Sequence, residues 1–154
     1  MYERKDKWSV GQWMSSNPLT VPPETSVRSA FYRMRVEGYR HLLVVAEDEL
    51  LGIVTDRDLR RPDVSGDPDG WNEFYQLDEG TEVRHVMTGK VESLSPHDGL
   101  EKALKVFIAH KFGAMPVLDK KGEVIGILTT HDLLTGFQSA LDAVGGLLRL
   151  QDAP

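Results

Sequence analysis

Two stretches of the chain carry the same order of apolar and polar positions. In the first, apolar residues recur at helical spacing from Val27 to Met34, and the short apolar segment His41–Ala46 follows. In the second, the helical face runs over 100–108 and the apolar segment is Ala114–Leu118. Because both faces of such a strand must be buried, the pattern predicts a sheet covered by helices.

A further strand and a further helix complete each stretch. The second strands and the residues that open the second helices are predicted as Gly52-Ile53-Val54 with Thr55, and Gly126-Ile127-Leu128 with Thr129. Short extended segments over 19–21 and 92–94 precede the first helices. Each stretch is therefore predicted to fold as β-α-β-β-α.

Sliding the chain against itself shows that the two stretches are repeats. At an offset of 73 residues, the identical pairs are Val10/Val83, Met14/Met87, Pro23/Pro96, Ala30/Ala103 and Val44/Val117. At an offset of 74, they are Gly52/Gly126, Ile53/Ile127, Thr55/Thr129, Asp58/Asp132 and Leu59/Leu133. Ten identities in one order indicate a duplicated supersecondary unit.

The duplication predicts the organisation of the whole chain. The predicted segments are an N-terminal segment 1–9, a first repeat 10–60, a linker 61–82, a second repeat 83–135 and a helical tail 136–154. One unit of about 50 residues buries too little surface to be stable alone. We therefore predict an α/β (α+β) fold in which the two repeats pack sheet to sheet with pseudo-two-fold symmetry.

Several residues carry the signals of helix ends. Ser95 is predicted as the N-cap of the second repeat's first helix, with Pro96 at its first position and Asp98 supporting the cap. Gly38 and Gly113 are predicted to end the first helix of each repeat.

Composition narrows the classes of protein that remain. The 154 residues carry a net charge of −6, which argues against binding to nucleic acid or to an anionic membrane. The absence of cysteine excludes disulfides, thiolate zinc sites and cysteine nucleophiles. No apolar run reaches the roughly 20 residues of a membrane span, and the charged start lacks the apolar stretch of a secretory signal. We therefore expect a cytoplasmic protein.

Two matching motifs carry a resemblance to a known family. Gly-Ile-Val-Thr-Asp-Arg-Asp at 52–58 and Gly-Ile-Leu-Thr-Thr-His-Asp at 126–132 each end the same five-element unit, and the segments 83–88 and 113–117 are similarly typical. The tandem pattern resembles the cystathionine-β-synthase-type (CBS) domain pair, also called a Bateman module. The resemblance implies a regulatory module that binds AMP, ADP, ATP or S-adenosylmethionine in clefts between its repeats, without a catalytic cofactor.

The resemblance also implies which residues bind the ligand. Asp58 and Asp132 would hold the ribose hydroxyls, with Thr55 and Thr129 beside them near the phosphates, while Arg57 or His131 would meet phosphate. The residues that would hold adenine are Thr20, Val21, His41 and Leu42 in one cleft and Ser93, Leu94, Met115 and Pro116 in the other. Lys90 could add a positive charge to the second cleft.

The same residues have a purely structural interpretation. Both Thr-x-x-Asp segments match the capping box, which satisfies the N–H groups at a helix start without any ligand. Arg57, Arg60 and Arg61 could fork onto phosphate oxygens, or could form a solvated helix face with intrahelical ion pairs. If one cleft takes a polyphosphate, the corner with Arg57 and Asp58 is favoured.

No other chemistry is indicated by the sequence. The five histidines lack metal-ligand spacing, and the segment 67–70 fits a turn better than a calcium loop. No nucleophile, glycine-rich phosphate loop or catalytic carboxylate pair stands out, so we do not expect an enzyme. The linker's Trp71, Phe74 and Tyr75 are expected to pack on the module or to act as a lid.

The tail and the family resemblance bear on partners. The apolar residues of 133–150 follow helical spacing except at Gly145-Gly146, so they either cover the core or serve self-association. We expect a homodimer whose signal passes through a dimer rearrangement or an unidentified protein partner. The alternative is a ligand-free interaction module that dimerises or docks an enzyme.

Overall fold

The computed structural model describes residues 7–60 and 80–151. The predictions for the linker's turn at 67–70 and for Trp71, Phe74 and Tyr75 lie outside these residues, as does Arg61. No helix among the described residues combines the length and the apolar character that crossing a membrane requires.

The elements follow one another as short strands and helices. In chain order they are α1 (Val10–Trp13), β1 (Ser15–Ser16), β2 (Thr20–Val21), α2 (Val27–Glu37), β3 (His41–Ala46), β4 (Glu49–Thr55), α3 (Asp56–Leu59), a 3-10 turn (Val83–His85), β5 (Thr88–Gly89), α4 (Leu100–His110), β6 (Ala114–Leu118), β7 (Val124–Thr129) and α5 (Thr130–Gln151).

Internal contacts divide the described chain into two compact units. The first-repeat unit contains the described residues of Asn17–Glu92 together with Lys121–Val124. The second-repeat unit contains those up to Ser16, Ser93–Lys120 and those from Ile125 onward.

A four-stranded sheet of order β2-β3-β4-β5 forms the base of the first-repeat unit. β2 runs parallel to β3, and the other pairs are antiparallel. α2 begins after Ser26, whose Oγ accepts from the N–H of Ser29 at 3.1 Å, and it ends at Gly38 with φ 75°. Its apolar face is buried as the spacing predicts, through Val27, Ala30, Phe31 and Met34.

The second-repeat unit has a three-stranded sheet of order β1-β7-β6. An isolated parallel bridge from Leu94 to Val117 stands where the sequence predicts a strand over 92–94. The core residues of this unit are Val10, Leu94, Ala103, Phe107, Met115, Val117 and Leu128.

Each repeat's lead-in segment belongs to the unit built on the other repeat. β1, from the start of the first repeat, pairs with β7, and Val10 lies in the same core as Leu128. β5, from the start of the second repeat, pairs with β4, and Val83 lies in the same core as Val54. The sequence repeats and the compact units therefore differ in the lead-in segment that each contains, while the predicted domain boundaries stay a prediction.

The prediction for the start of α4 is wrong. α4 begins at Leu100 with Gly99 as its N-cap and without a side-chain cap bond. Ser95 and Asp98 instead close a separate turn, in which the N–H of Ser95 donates to Asp98 Oδ2 at 2.9 Å. An antiparallel bridge between Ser9 and Gly99 holds the backbone extended, so the helix begins only after it.

The end of α4 also differs from the prediction. Lys111, rather than Gly113, takes the left-handed conformation at the C-cap, with φ 56°. The mixed α/β class with two sheets is confirmed. The packing of those sheets with pseudo-two-fold symmetry stays a prediction.

Candidate functional site

Thr55 and Asp58 form a reciprocal hydrogen-bond pair where β4 passes into α3, which we call the first corner. Asp58 Oδ2 accepts from the backbone N–H and from Oγ1 of Thr55, each at 2.9 Å. Thr55 Oγ1 in turn accepts from the N–H of Asp58 at 3.2 Å. This arrangement is a capping box, so the structural interpretation of the Thr-x-x-Asp spacing is confirmed here.

Thr129 and Asp132 repeat this geometry where β7 passes into α5, which we call the second corner. Asp132 Oδ2 accepts from the backbone N–H and from Oγ1 of Thr129, at 2.7 Å and 2.8 Å. The N–H of Asp132 donates back to Thr129 Oγ1 at 3.3 Å. The two repeats therefore present the same carboxylate in the same local setting.

Within residues 7–60 and 80–151, each corner carboxylate keeps one oxygen without a partner. A carboxylate has two acceptor oxygens with about four lone-pair sites, and the capping box uses only Oδ2 of Asp58 and of Asp132. Oδ1 of each accepts no hydrogen bond from the described part of the chain. Both side chains are partly exposed, so this oxygen can accept from a ligand while the cap remains intact.

The start of a neighbouring strand lies beside each corner. In the first-repeat unit, the N–H of Asp56 donates to the carbonyl of Arg40 at 3.1 Å, and His41 is the cross-strand partner of Thr55. In the second-repeat unit, the N–H of Thr130 donates to the carbonyl of Gly113 at 3.1 Å. Each corner is thus joined to the residue just before an apolar strand.

His41 is the predicted adenine-site residue whose side chain is titratable. Burial lowers the pKa of this imidazole below its ordinary 6.5, and the neighbouring Arg40 lowers it further. The carboxylates of Asp56 and Asp58 act in the opposite direction and do not restore the pKa. The neutral form of His41 therefore predominates at pH 7.

The other residues predicted to hold adenine in the first-repeat unit differ in how far they are buried. Val21 and Leu42 are 2% and 0% exposed, so their side chains belong to the core and they can offer a ligand only backbone groups. Thr20 is exposed on β2, and its carbonyl accepts from Nη1 of Arg33 at 3.1 Å. The structure places all three with His41 and Asp58 in one unit.

The second predicted set is also gathered in one unit. Leu94 and Met115 are core residues, and Pro116 is buried on β6. The N–H of Leu94 donates to the carbonyl of Pro116 at 2.9 Å, so this backbone donor is already used. Ser93 is exposed. Lys90, which the sequence analysis adds to the second cleft, lies in the first-repeat unit and so in a different unit from these residues.

The cations near the corners are not equivalent. Arg60 pairs with Asp56 at 3.3 Å and lies 5.3 Å from the ring centroid of Phe31, as the helix-face interpretation predicts. Arg57 is exposed and has no partner among the described residues. At the second corner the residue in the place of Arg57 is His131, which is also exposed.

Sequence reasoning missed Arg33 and Arg40. Arg33 lies on α2, 13 residues after the carbonyl that it binds, so only the fold brings them together. Arg40 could have been found, because it directly precedes the apolar strand beside the first corner. Among residues 7–60 and 80–151, no three His, Asp or Glu side chains gather as a metal site would require.

An apolar groove of about 610 Å³ lies on the second-repeat unit between α4 and α5, and Asp132 is not among the residues that line it. Trp8, Phe107 and Leu133 line its floor and walls together with exposed apolar side chains of both helices. Up to residue 145, the large exposed apolar residues of α4 and α5 are Leu104, Ile108, Leu134, Phe137, Leu141 and Val144. Several apolar residues of α5 therefore do not cover the core, and the prediction that they serve self-association stays open.

Comparison with known proteins gives consistent matches over most of the chain. A family model described as the CBS domain matches residues 10–64 and 83–139. A CBS domain-containing protein of Dictyostelium discoideum is 31% identical over 140 residues, which cover 88% of this chain and 94% of that protein. An inosine-5'-monophosphate dehydrogenase of Thermoplasma acidophilum is 28% identical over 116 residues, which cover 75% of this chain. The match spans only 21% of that enzyme.

Solved structures show the same fold. CBSX2, a CBS-pair protein from Arabidopsis thaliana, superposes with a TM-score of 0.76 at 27% identity, over 88% of this chain and 97% of that one. A structure of CBSX2 in complex with AMP gives a TM-score of 0.71 at 29% identity, over 86% and 98% of the two chains.

Proposed function

The chain belongs to the CBS domain family, and from this premise we propose that it is a regulatory module that binds an adenosine nucleotide. The candidate ligands are AMP, ADP, ATP and S-adenosylmethionine. Binding would be reported through a dimer rearrangement or a protein partner, and the chain itself would not be an enzyme.

The unpartnered Oδ1 of the corner carboxylates is the observation that carries this proposal. A ribose presents two adjacent hydroxyl donors, and an ionised carboxylate accepts from them through charge-assisted hydrogen bonds, which are about twice as strong as neutral ones. Because Asp58 and Asp132 are held through Oδ2, the direction of each Oδ1 is fixed before a ligand arrives. Little side-chain entropy would then be lost on binding.

Of the four candidate ligands, we propose AMP first. CBSX2, which resembles this chain over nearly its whole length, has been crystallised with AMP. The dehydrogenase relative does not argue for catalysis, because the chain spans about a fifth of that enzyme.

We propose the first corner as the stronger site for a phosphorylated ligand. Arg57 offers an exposed guanidinium beside Asp58, and Arg40 precedes the strand that faces it. The second corner has His131 and Gly113 in these positions. A guanidinium presents a planar fork of N–H donors that matches phosphate oxygens.

A homodimer through α4 and α5 completes the proposed function. On α5 the exposed residues Leu134, Phe137, Leu141 and Val144 are spaced by 3, 4 and 3 residues, which is the spacing of a coiled-coil seam. Over residues 133–144 the sole charged residue is Asp142. These four residues form an exposed apolar strip. A chain with net charge −6 can approach a second copy of itself along this strip with little electrostatic repulsion, and both copies would use the same surface in an isologous contact.

One observation favours the alternative of a ligand-free interaction module. Both Thr-x-x-Asp pairs satisfy their own helix starts, so neither carboxylate needs a ligand for the fold to form. In that case the exposed apolar strip would be the functional surface.

A thermal-shift experiment separates the two functions. The purified, nucleotide-stripped chain would be heated with AMP, ADP, ATP or S-adenosylmethionine, and with GMP as the control for base recognition. A ligand at 100 times its Kd adds about 2.7 kcal/mol, which raises the midpoint by roughly 5–10 °C at this size. A midpoint unchanged by all four adenosine ligands would reject nucleotide binding and favour the interaction module.

A further inference from the structure

The two corners differ in the residues that begin the strand beside them. His41 begins β3 opposite Thr55, and Arg40 precedes it. The matching positions in the second repeat, 73 residues further on, are Gly113 and Ala114. At the position that begins the strand, the first corner therefore has an imidazole and the second has a methyl group.

The strand register places this imidazole next to the candidate ribose site. His41 and Thr55 are direct cross-strand partners, so their side chains lie on the same face of the sheet, with Cα atoms about 4.5–5.5 Å apart. The alternate residues Leu42 and Val54 belong to the core on the other face. Thr55 Oγ1 is itself bonded to Asp58 Oδ2, which places His41 beside the carboxylate.

A phosphate would come close to His41 if Asp58 held the ribose, so the imidazole would face the phosphate rather than the adenine that the family resemblance assigns to it. The 5'-phosphate of a nucleotide is bonded to the same sugar, so it lies within several ångströms of the ribose hydroxyls. Arg40 and Arg57 are exposed cations that flank His41 and the carboxylate. They favour the approach of the anionic end of the ligand to this side of the corner.

The charges around His41 define its state before the ligand binds. Those that reach it are Arg40, which directly precedes its strand, and Asp56 and Asp58 on α3. Other charged groups on neighbouring elements include Arg57, which is exposed, Arg60, which pairs with Asp56, and Arg33 of α2, which binds the carbonyl of Thr20. Burial and Arg40 outweigh the two carboxylates and keep the pKa of His41 below 6.5.

We propose that the first corner takes up a proton together with the nucleotide phosphate, with His41 as the group that binds the proton, so that affinity rises as the pH falls below 7. This inference rests on the proposed function, because it concerns the regulation of the same site. A CBS pair built in this way responds to acidification and to nucleotide at its first corner. At the second corner, the strand β6 begins with Ala114 in place of His41.

The direction of the effect follows from linkage. A phosphate anion beside the imidazole stabilises the charged form and raises the pKa of His41 in the complex. At a pH between the lower free value and the higher bound value, binding takes up a proton, and affinity increases toward acid. Each unit by which the pKa rises gives up to a tenfold gain in affinity.

Titration calorimetry with AMP tests this inference. Binding would be measured at about pH 6 and about pH 8 for the wild type, for His41→Ala, which installs the second repeat's residue, and for His97→Ala. His97 is an exposed histidine in the Ser95–Asp98 turn and serves as the matched control. The phosphate of AMP also titrates near pH 6, but this affects every variant equally and cancels in the ratio of their affinities.

The expected result is a wild-type to His41→Ala affinity ratio that rises up to tenfold from pH 8 to pH 6, with His97→Ala following the wild type. Binding enthalpies measured in two buffers of different ionisation enthalpy should show that the wild type takes up a proton with AMP and that His41→Ala does not. Adenosine, which lacks phosphate, should show no dependence of this ratio on pH.

The outcomes separate the inference from the function on which it rests. Binding of AMP with a constant ratio and equal proton uptake overturns the role of His41 and leaves nucleotide binding intact. The absence of AMP binding to the wild type at both pH values overturns both. If circular dichroism shows that His41→Ala is unfolded, His41→Gln replaces it, because glutamine keeps a polar side chain that does not titrate.

Discussion

The sulfur of Met87 lies against Gly52, so close that a Cβ at Gly52 would be 2.7 Å from it. Met14 stands in the same relation to Gly126, where a Cβ would lie 2.5 Å from the sulfur. In both cases the methionine comes from the lead-in segment of one repeat and the glycine from the sheet of the other. The duplicated methionines and glycines of the sequence are therefore one contact that occurs twice.

This contact predicts that Gly52→Ala destabilises the fold. The new methyl group would also meet the backbone carbonyl of Thr88 at 2.8 Å, which cannot move as freely as the methionine. Overpacking of this kind costs about 1–3 kcal/mol, to be measured by urea denaturation. Gly89→Ala is the matched control on the neighbouring strand, because its nearest contact would be at 3.9 Å. Equal stability of the two variants would contradict the prediction.

Asp58→Asn is expected to separate ribose binding from helix capping. Asparagine matches aspartate in size, and its side-chain oxygen can still accept the hydrogen bonds of the helix cap. It lacks the charge that strengthens hydrogen bonds to hydroxyls. We expect AMP affinity to fall about tenfold or more, since bonds to charged groups contribute about 1.5–3 kcal/mol. Calorimetry with AMP and 2'-deoxy-AMP should show that the variant discriminates less between them. Asp98→Asn, in the Ser95–Asp98 turn, is the control, and an equal loss there would return Asp58 to a capping role alone.

Arg57→Ala is expected to weaken phosphate binding without loss of stability. Its guanidinium is exposed and has no partner among the described residues, whereas that of Arg60 is engaged by Asp56. We expect a larger loss of affinity for ATP than for adenosine, which becomes smaller at high salt because exposed charges are screened. Arg60→Ala should cost less affinity. The opposite order for the two variants would show that the ion pair opens to receive the ligand.

Phe137→Glu is expected to abolish self-association. Phe137 is 62% exposed, so the substitution leaves the folded chain intact but places a charge in the middle of the strip that a second copy would cover. Sedimentation velocity should show a dimer for the wild type and a monomer for the variant. Gln138→Glu adds the same charge on the next residue, which is also exposed, and should remain dimeric. A wild-type monomer at all concentrations would refute the proposed dimer.

The sequence predicted most of the local structure, because local signals determine it. The strands His41–Ala46 and Ala114–Leu118 have the predicted bounds, and the apolar face of α2 is buried as its spacing indicates. The predicted N-cap at Ser95 is wrong because a bridge between Gly99 and Ser9, 90 residues earlier in the chain, holds the backbone extended. Such a contact leaves no trace in the residues next to Ser95.

The candidate site was predictable where its residues lie close in sequence. The Thr-x-x-Asp spacing identifies both corners, since a capping box is a local structure. The charged surroundings of His41 were not predictable to the same degree, because they depend on the pairing of β3 with β4. The sequence predicts that both strands exist, but their register decides which side chain faces Thr55.

The exchange of lead-in segments has a consequence for what happens when the chain is cut between its repeats. The N-terminal fragment would carry β1 without the sheet it joins, and its own sheet would lack β5. The C-terminal fragment would have the reverse deficit. Neither fragment contains a complete sheet, so the two should regain their structure only when they are mixed. A split protein reporter could be built on this complementation.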